Sequence, residues 1–152
     1  IKKPMVSYFE HNRFERGPII AERLLAGENC ALVTDAGMPA ISDPGEDLVK
    51  LCIEKGIKVE SVPGPCAFAT ALAVSGMPSK RFTFEGFLPV EKSARREHIS
   101  WLVGETRTMI FYEAPHKLSQ TLSDLAAALG DREIAIVREL TKIHEQVIKN
   151  TI

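Results

Sequence analysis

Two loops hold most of the residues that could do chemistry. The first reads Asp35-Ala36-Gly37-Met38-Pro39, continues through Ala40, Ile41 and Ser42, and ends Asp43-Pro44-Gly45. The second reads Val62-Pro63-Gly64-Pro65-Cys66-Ala67. Asp35 and Asp43 supply acceptors suited to hydroxyls, an amine or a cation. Gly37, Gly45 and Gly64 can take positive φ and let a ligand approach the backbone closely. Pro39, Pro44, Pro63 and Pro65 fix φ, so the loops are stiff before a ligand arrives. A helix starting after Pro65 would offer free backbone N–H groups to a carboxylate or phosphate. The plain alternative is a pair of tight turns, because Gly and Pro also punctuate ordinary connections.

Each loop follows a short apolar run and leads into a helical pattern. Cys30–Thr34 and Ile57–Val62 read as buried strands. Gly45–Lys55 and Cys66–Ser75 read as the helices that follow. Strand, loop and helix repeated in this way make a parallel α/β sheet, whose ligands sit at the carboxyl ends of the strands. The second helix is apolar nearly all round and should pack deeply. Upstream, Pro18–Ala26 reads as a short helix with Pro18 in its first turn and Ile19, Ile20, Leu24 and Leu25 facing inward. Residues 1–16 read as a solvated loop carrying one packed aromatic.

Gly76, Pro78 and Ser79 mark a boundary. Beyond it, Arg81–Gly86 reads as a strand, and a helix follows that runs to about Val103 and turns Trp101 and Leu102 into the core. Arg107–Tyr112 reads as a buried strand, and Pro115 opens a helix with Leu118, Leu122, Leu125 and Leu129 on one face. Glu133–Leu140 and Glu145–Thr151 read as a hairpin.

The chain has 152 residues, 45% of them hydrophobic and 26% charged, an ordinary globular composition. A net charge of −1 rules out a global basic field, so any nucleic-acid contact must come from a local patch. Lys92, Arg95 and Arg96 are the tightest basic group; a solvated helix face is the alternative. The three cysteines, Cys30, Cys52 and Cys66, have no metal-binding or redox spacing and read as buried reduced thiols. His11, His98, His116 and His144 are scattered, so no metal site is expected. No run approaches the roughly 18 apolar residues of a membrane span. The chain reads as soluble and cytoplasmic.

The two loops resemble the cofactor loops of the tetrapyrrole methylase superfamily, which uses S-adenosylmethionine. Four further segments match in order: Ser7–Asn12, Phe84–Pro89, Phe111–His116 and Arg138–Lys142. Within the superfamily the chain is most similar to the branch that methylates the ribose 2′-oxygen of a cytidine in small-subunit (16S) ribosomal RNA. The resemblance implies two α/β domains with a cofactor cleft between them. Residues 1–78 would be most of the first domain, without its first strand. Residues 79–152 would begin the second, so that the sequence is truncated at both ends.

It also implies that Asp35, Ala36, Gly37, Pro63, Gly64, Pro65, Cys66 and Ala67 line one side of the cofactor. Gly86, Phe87, Leu88 and Arg138 would line the other. Glu139 and Lys142 are the catalytic candidates, with Asp35 and Glu113 as further possible bases. A salt-bridged strand end is the plain reading of Arg138-Glu139. Lys92, Arg95 and Arg96 would contact RNA, and the protein would work as a homodimer. Rival readings are a methyltransferase acting on a tetrapyrrole or other small molecule, and a non-catalytic nucleotide-binding module.

Overall fold

The computed structural model describes residues 2–152 and divides into two compact units, 1–65 and 66–152. The helix after the second loop, assigned above to the first half, belongs to the second unit.

In the first unit, α1 (Arg13–Leu25) packs on α2 (Glu46–Glu54). α1 begins five residues before Pro18, because the Asn12 carbonyl accepts N–H bonds from Glu15 (3.1 Å) and Arg16 (2.9 Å). The Asn12 side chain also closes the preceding turn by accepting the Phe9 N–H at 2.8 Å. Pro18 therefore sits inside the helix, where it removes one backbone hydrogen bond. Ile20, Leu48 and Cys52 form the core, with Tyr8, Leu24 and Ile57 against it. Tyr8 is the packed aromatic of the N-terminal segment. Ile19 and Leu25, expected to face inward, are exposed.

Neither Cys30–Thr34 nor Ile57–Val62 forms a strand. An apolar run makes burial favourable but does not choose the backbone that completes a ladder. Among the described residues neither run has a ladder partner, and Val33 and Val62 are 77% and 84% exposed. Cys30 is likewise exposed, Cys66 is half-buried, and only Cys52 is a buried thiol.

The second unit holds α3 (Ala67–Ser75), β1 (Phe82–Phe87), α4 (Lys92–Trp101), β2 (Thr108–Tyr112), a 3-10 turn (Pro115–Lys117), α5 (Leu118–Leu129), β3 (Glu133–Arg138) and β4 (Gln146–Thr151). β1 and β2 pair in parallel with α4 as their crossover, a βαβ unit. β3 and β4 pair antiparallel, Glu133 opposite Thr151 and Arg138 opposite Gln146. The architecture is α/β. Its core is Leu88, Ile99 and Leu125, with Phe111, Ala128, Leu129 and Ile152 around it.

Two helix faces of the second unit differ from expectation. In α3 only Leu72 and Ser75 are buried, although the helix packs on β2, β3 and β4. Trp101 is 71% exposed, since Ile99 and Leu102 take the inward positions at the end of α4.

α4 is held at its start by Glu91, whose carboxylate accepts the Ala94 N–H at 2.8 Å and the Ser93 O–H at 2.5 Å. These bonds, Ser93 first, lower its pKa from 4.5 to about 2. A folded-state value below the unfolded one gives stability that is complete above about pH 4.5 and lost as pH falls toward 2. Glu91→Gln should therefore flatten the fall in melting temperature across that window. Parallel curves for the two proteins would show that the cap does not titrate with folding.

Candidate functional site

The first-unit loops meet each other. A Cβ added to Gly37 would lie 3.3 Å from the Pro65 carbonyl oxygen, and one added to Gly64 would lie 3.7 Å from Met38 Sδ. Gly37 has φ +79°, a region that side-chain-bearing residues avoid. Gly64 does not use the positive φ open to it, and a Cβ there would make only an ordinary contact with Met38. Ala40 (φ +65°) and Ser42 (φ +52°) are strained non-glycine residues in the same loop. Such strain is common where a loop is held in a ligand-ready shape. Asp35, Ala36, Gly37, Pro63, Gly64 and Pro65 are all exposed. Asp35 and Asp43 have no side-chain hydrogen bond or ion pair among the described residues.

In the second unit, α3 starts at the end of the second loop. Its cap residue, Cys66, supplies no side-chain hydrogen bond, and Ala67 is exposed. The helix start is not wholly free, as the sequence suggested: the Phe68 N–H donates to the Tyr112 hydroxyl at 3.0 Å. Tyr112 belongs to the matching segment Phe111–His116, but its role was not legible there, because its partner lies 44 residues away. The aromatic run Phe82, Phe84, Phe87 and Tyr112 is a second signal that points to it.

Gly86, at φ +61°, sits where the register of β1 against β2 slips: Phe84 opposes Ile110 and Gly86 opposes Phe111, leaving Glu85 as the extra residue. A bulge of this kind re-aims the chain at a strand end. It leaves Phe87 exposed and drives Leu88 into the core. The Leu88 side chain is thus committed to packing, and only its backbone can face a ligand.

At the end of β3, Arg138 Nε donates to Gln146 Oε1 at 2.7 Å. Glu139 and Lys142 pair at 3.3 Å with both side chains exposed. The loop between β3 and β4 is well tied. The Lys142 N–H donates to the Glu139 carbonyl, and the Thr141 N–H to Glu145 Oε2 at 2.6 Å. Glu139 (φ +52°) and Thr141 (φ +64°) are both in the left-handed region without being glycine.

Of the basic group, Lys92 and Arg96 are exposed and carry no ion pair among the described residues. Arg95 differs. Its Nε donates to Asp124 Oδ2 and its terminal nitrogen to Thr121 Oγ1, both at 2.7 Å. Thr121 in turn donates to Glu113 Oε2 at 2.5 Å. The Arg95 hydrogen bond holds the Asp124 pKa below the ordinary carboxylate value. Burial raises the Glu113 pKa, but the Thr121 and Ala114 hydrogen bonds and the Arg95 and Lys117 charges outweigh it, for a net lowering. Arg95 therefore joins α4 to α5 through its Nε and one terminal nitrogen.

The Arg95 and Asp124 side chains are 16% and 29% exposed, between the surface and buried limits. Arg95→Ala should cost about 2 kcal/mol of stability. Arg96→Ala should cost no more than about 0.5 kcal/mol. Chemical denaturation of the two variants checks this; equal losses would contradict a structural role for Arg95.

The family model for Tetrapyrrole (Corrin/Porphyrin) Methylases matches residues 2–152. Curated relatives bearing the name Ribosomal RNA small subunit methyltransferase I are similar along the whole chain. The protein of Xylella fastidiosa is 50% identical, with 56% of its own length covered. That of Bacillus subtilis is 49% identical with 52% covered. That of Thermotoga maritima is 46% identical with 68% covered. The chain thus spans about half the length of most of these relatives. With a match over nearly every residue, the chain belongs to the tetrapyrrole (corrin/porphyrin) methylase family.

Proposed function

We propose that this chain is the cofactor-binding part of an S-adenosylmethionine-dependent methyltransferase that modifies the ribose 2′-oxygen of a cytidine in small-subunit ribosomal RNA. The observation that carries the cofactor reading is the closure of Gly37 on the Pro65 carbonyl, 3.3 Å from where a Cβ would stand. A loop pair this tight, with an uncommitted carboxylate at Asp35, fits a ligand with an amine and hydroxyls. The named relatives support the RNA substrate.

Asp35, Ala36, Gly37, Pro63, Gly64, Pro65, Cys66 and Ala67 would hold the cofactor from the two loops. The same resemblance supports Gly86, Phe87, the Leu88 backbone and Arg138 as further cofactor residues. The cofactor, when bound, supplies a methyl group on a sulfonium, already a good leaving group. The remaining work is alignment of the ribose hydroxyl and removal of its proton. Glu139 accepts that proton and Lys142 orients it. The left-handed backbone at Glu139 supports this reading, because such strain gathers at functional positions. Lys92 and Arg96 bind phosphate, with salt-dependent affinity. The resemblance also supports a cytoplasmic homodimer.

The test is transfer of label from S-adenosylmethionine to undermethylated small ribosomal subunits by the full-length protein. Label in the RNA is expected. Cofactor binding with no label in RNA would favour the small-molecule or non-catalytic readings.

A further inference from the structure

One side chain in the second unit touches both segments proposed there for the cofactor. The Tyr112 hydroxyl accepts the Phe68 N–H at 3.0 Å, one residue beyond Ala67. The Tyr112 ring meets Phe87 edge-on, centroids 5.5 Å apart, and the two residues are opposite each other in the β1–β2 register. Phe84 braces the ring from a second side at 4.9 Å and stacks on Phe68 at 4.5 Å. Phe84 and Phe87 leave the Tyr112 ring little freedom to turn, so its hydroxyl is a fixed point.

The helix start needs such a point. The first N–H groups of any helix lack internal partners, and a side chain at the cap ordinarily satisfies one of them. Cys66 does not. Tyr112 does that work from the end of a neighbouring strand.

We infer that Tyr112 is a positioning residue for the cofactor, holding the first turn of α3 and Phe87 in fixed relation. This rests on the cofactor reading above. Tyr112 acts through Phe68 and Phe87 and is not itself a catalytic residue. The inference assigns a task to a motif, Phe111–His116, whose other conspicuous member, Glu113, is occupied with Thr121 and Ala114.

The variant is Tyr112→Phe, which deletes one oxygen and keeps the ring. Titration with S-adenosylmethionine should give a dissociation constant raised about 5- to 10-fold, the scale of one lost hydrogen bond at a partly buried amide. Hydrogen exchange at the Phe68 amide, read without cofactor, should speed up. Thr108→Val is the matched control. It removes a hydrogen bond from the same strand, Thr108 Oγ1 to the Pro78 carbonyl at 2.7 Å, away from both segments. It should lower the melting temperature comparably and leave cofactor affinity unchanged.

Wild-type affinity in Tyr112→Phe, with Phe68 exchange accelerated, would overturn the inference while leaving the cofactor reading intact. An equal loss of affinity in Thr108→Val would also overturn it, by showing a general effect of destabilisation. If the wild-type protein binds no cofactor, the functional reading fails first and the inference falls with it. If Tyr112→Phe proves unstable, Phe84→Leu keeps the hydroxyl and Phe87 and removes the brace on the Tyr112 ring. A weakened affinity is then expected, and an unchanged one counts against the inference.

Discussion

Gly37→Val is expected to weaken S-adenosylmethionine binding by roughly 100-fold or more, the largest functional effect of any single change in the loops. Two costs combine at this position. At φ +79° a β-branched residue is a conformational outlier. Its Cβ would also stand 3.3 Å from the Pro65 carbonyl oxygen, a backbone atom that cannot swing aside as a side chain can. The substituted loop must therefore retreat from the second loop, and the surface the two form together is lost. Gly37 is exposed and outside the core, so the fold itself should survive. Gly56→Val is the control: φ is +69° there, but nothing lies within 4 Å. It shares the backbone strain without the crowding. Titration of both variants should separate them, with Gly56→Val close to wild type. Equal affinities across all three proteins would remove the two loops from the site.

Gly45→Val should have the largest effect on stability. Gly45 caps α2 at φ +139°, where a side chain is strained regardless of space. There is no space either: a Cβ would lie 2.6 Å from Leu32 Cδ2 and 3.1 Å from the Ala40 Cβ. Leu32 Cδ2 is the end of a flexible side chain and can rotate aside, but Ala40 has no such freedom and is already held at positive φ. Strain and overpacking together should cost about 3 kcal/mol or more. In a small core built on Ile20, Leu48 and Cys52, a loss of that size is a large share of what holds the first unit together. Denaturant titration followed by a probe in the first unit should show an early transition. A midpoint within error of wild type would mean that the loop has another accessible shape.

The second unit was largely legible in the sequence because its signals are local. The leucines of α5 recur at helical spacing, and the β3–β4 hairpin joins segments only a few residues apart. The β1–α4–β2 crossover follows the alternation of strand and helix patterns. The first unit was harder to read. The runs 30–34 and 57–62 are apolar enough for strands, but a strand exists only through its neighbour's hydrogen bonds, and apolar content does not name the neighbour.

The same distinction runs through the site. Gly37, Pro63 and Pro65 announce a tight loop by residue type alone. Gly64 misled, since the structure uses neither its freedom of φ nor its lack of a side chain. Arg95 looks identical to Arg96 in the sequence. Only the arrival of Asp124 and Thr121, on a helix more than twenty residues away, turns one into a structural cation and leaves the other free. Trp101 went the other way, because the end of α4 could satisfy its core with Ile99 and Leu102. The segment holding Tyr112 stood out by resemblance, but its role did not, because its hydroxyl is used by a residue 44 positions earlier.

The central claim is the chemical position of the transferred methyl group. The most direct measurement is alkaline hydrolysis of small-subunit RNA labelled by the full-length protein from methyl-labelled S-adenosylmethionine. A 2′-O-methyl group removes the hydroxyl that alkali uses to cleave the chain. The account predicts label in an alkali-resistant dinucleotide with cytidine as its methylated member. Label recovered in mononucleotides would mean methylation of a base and would contradict it.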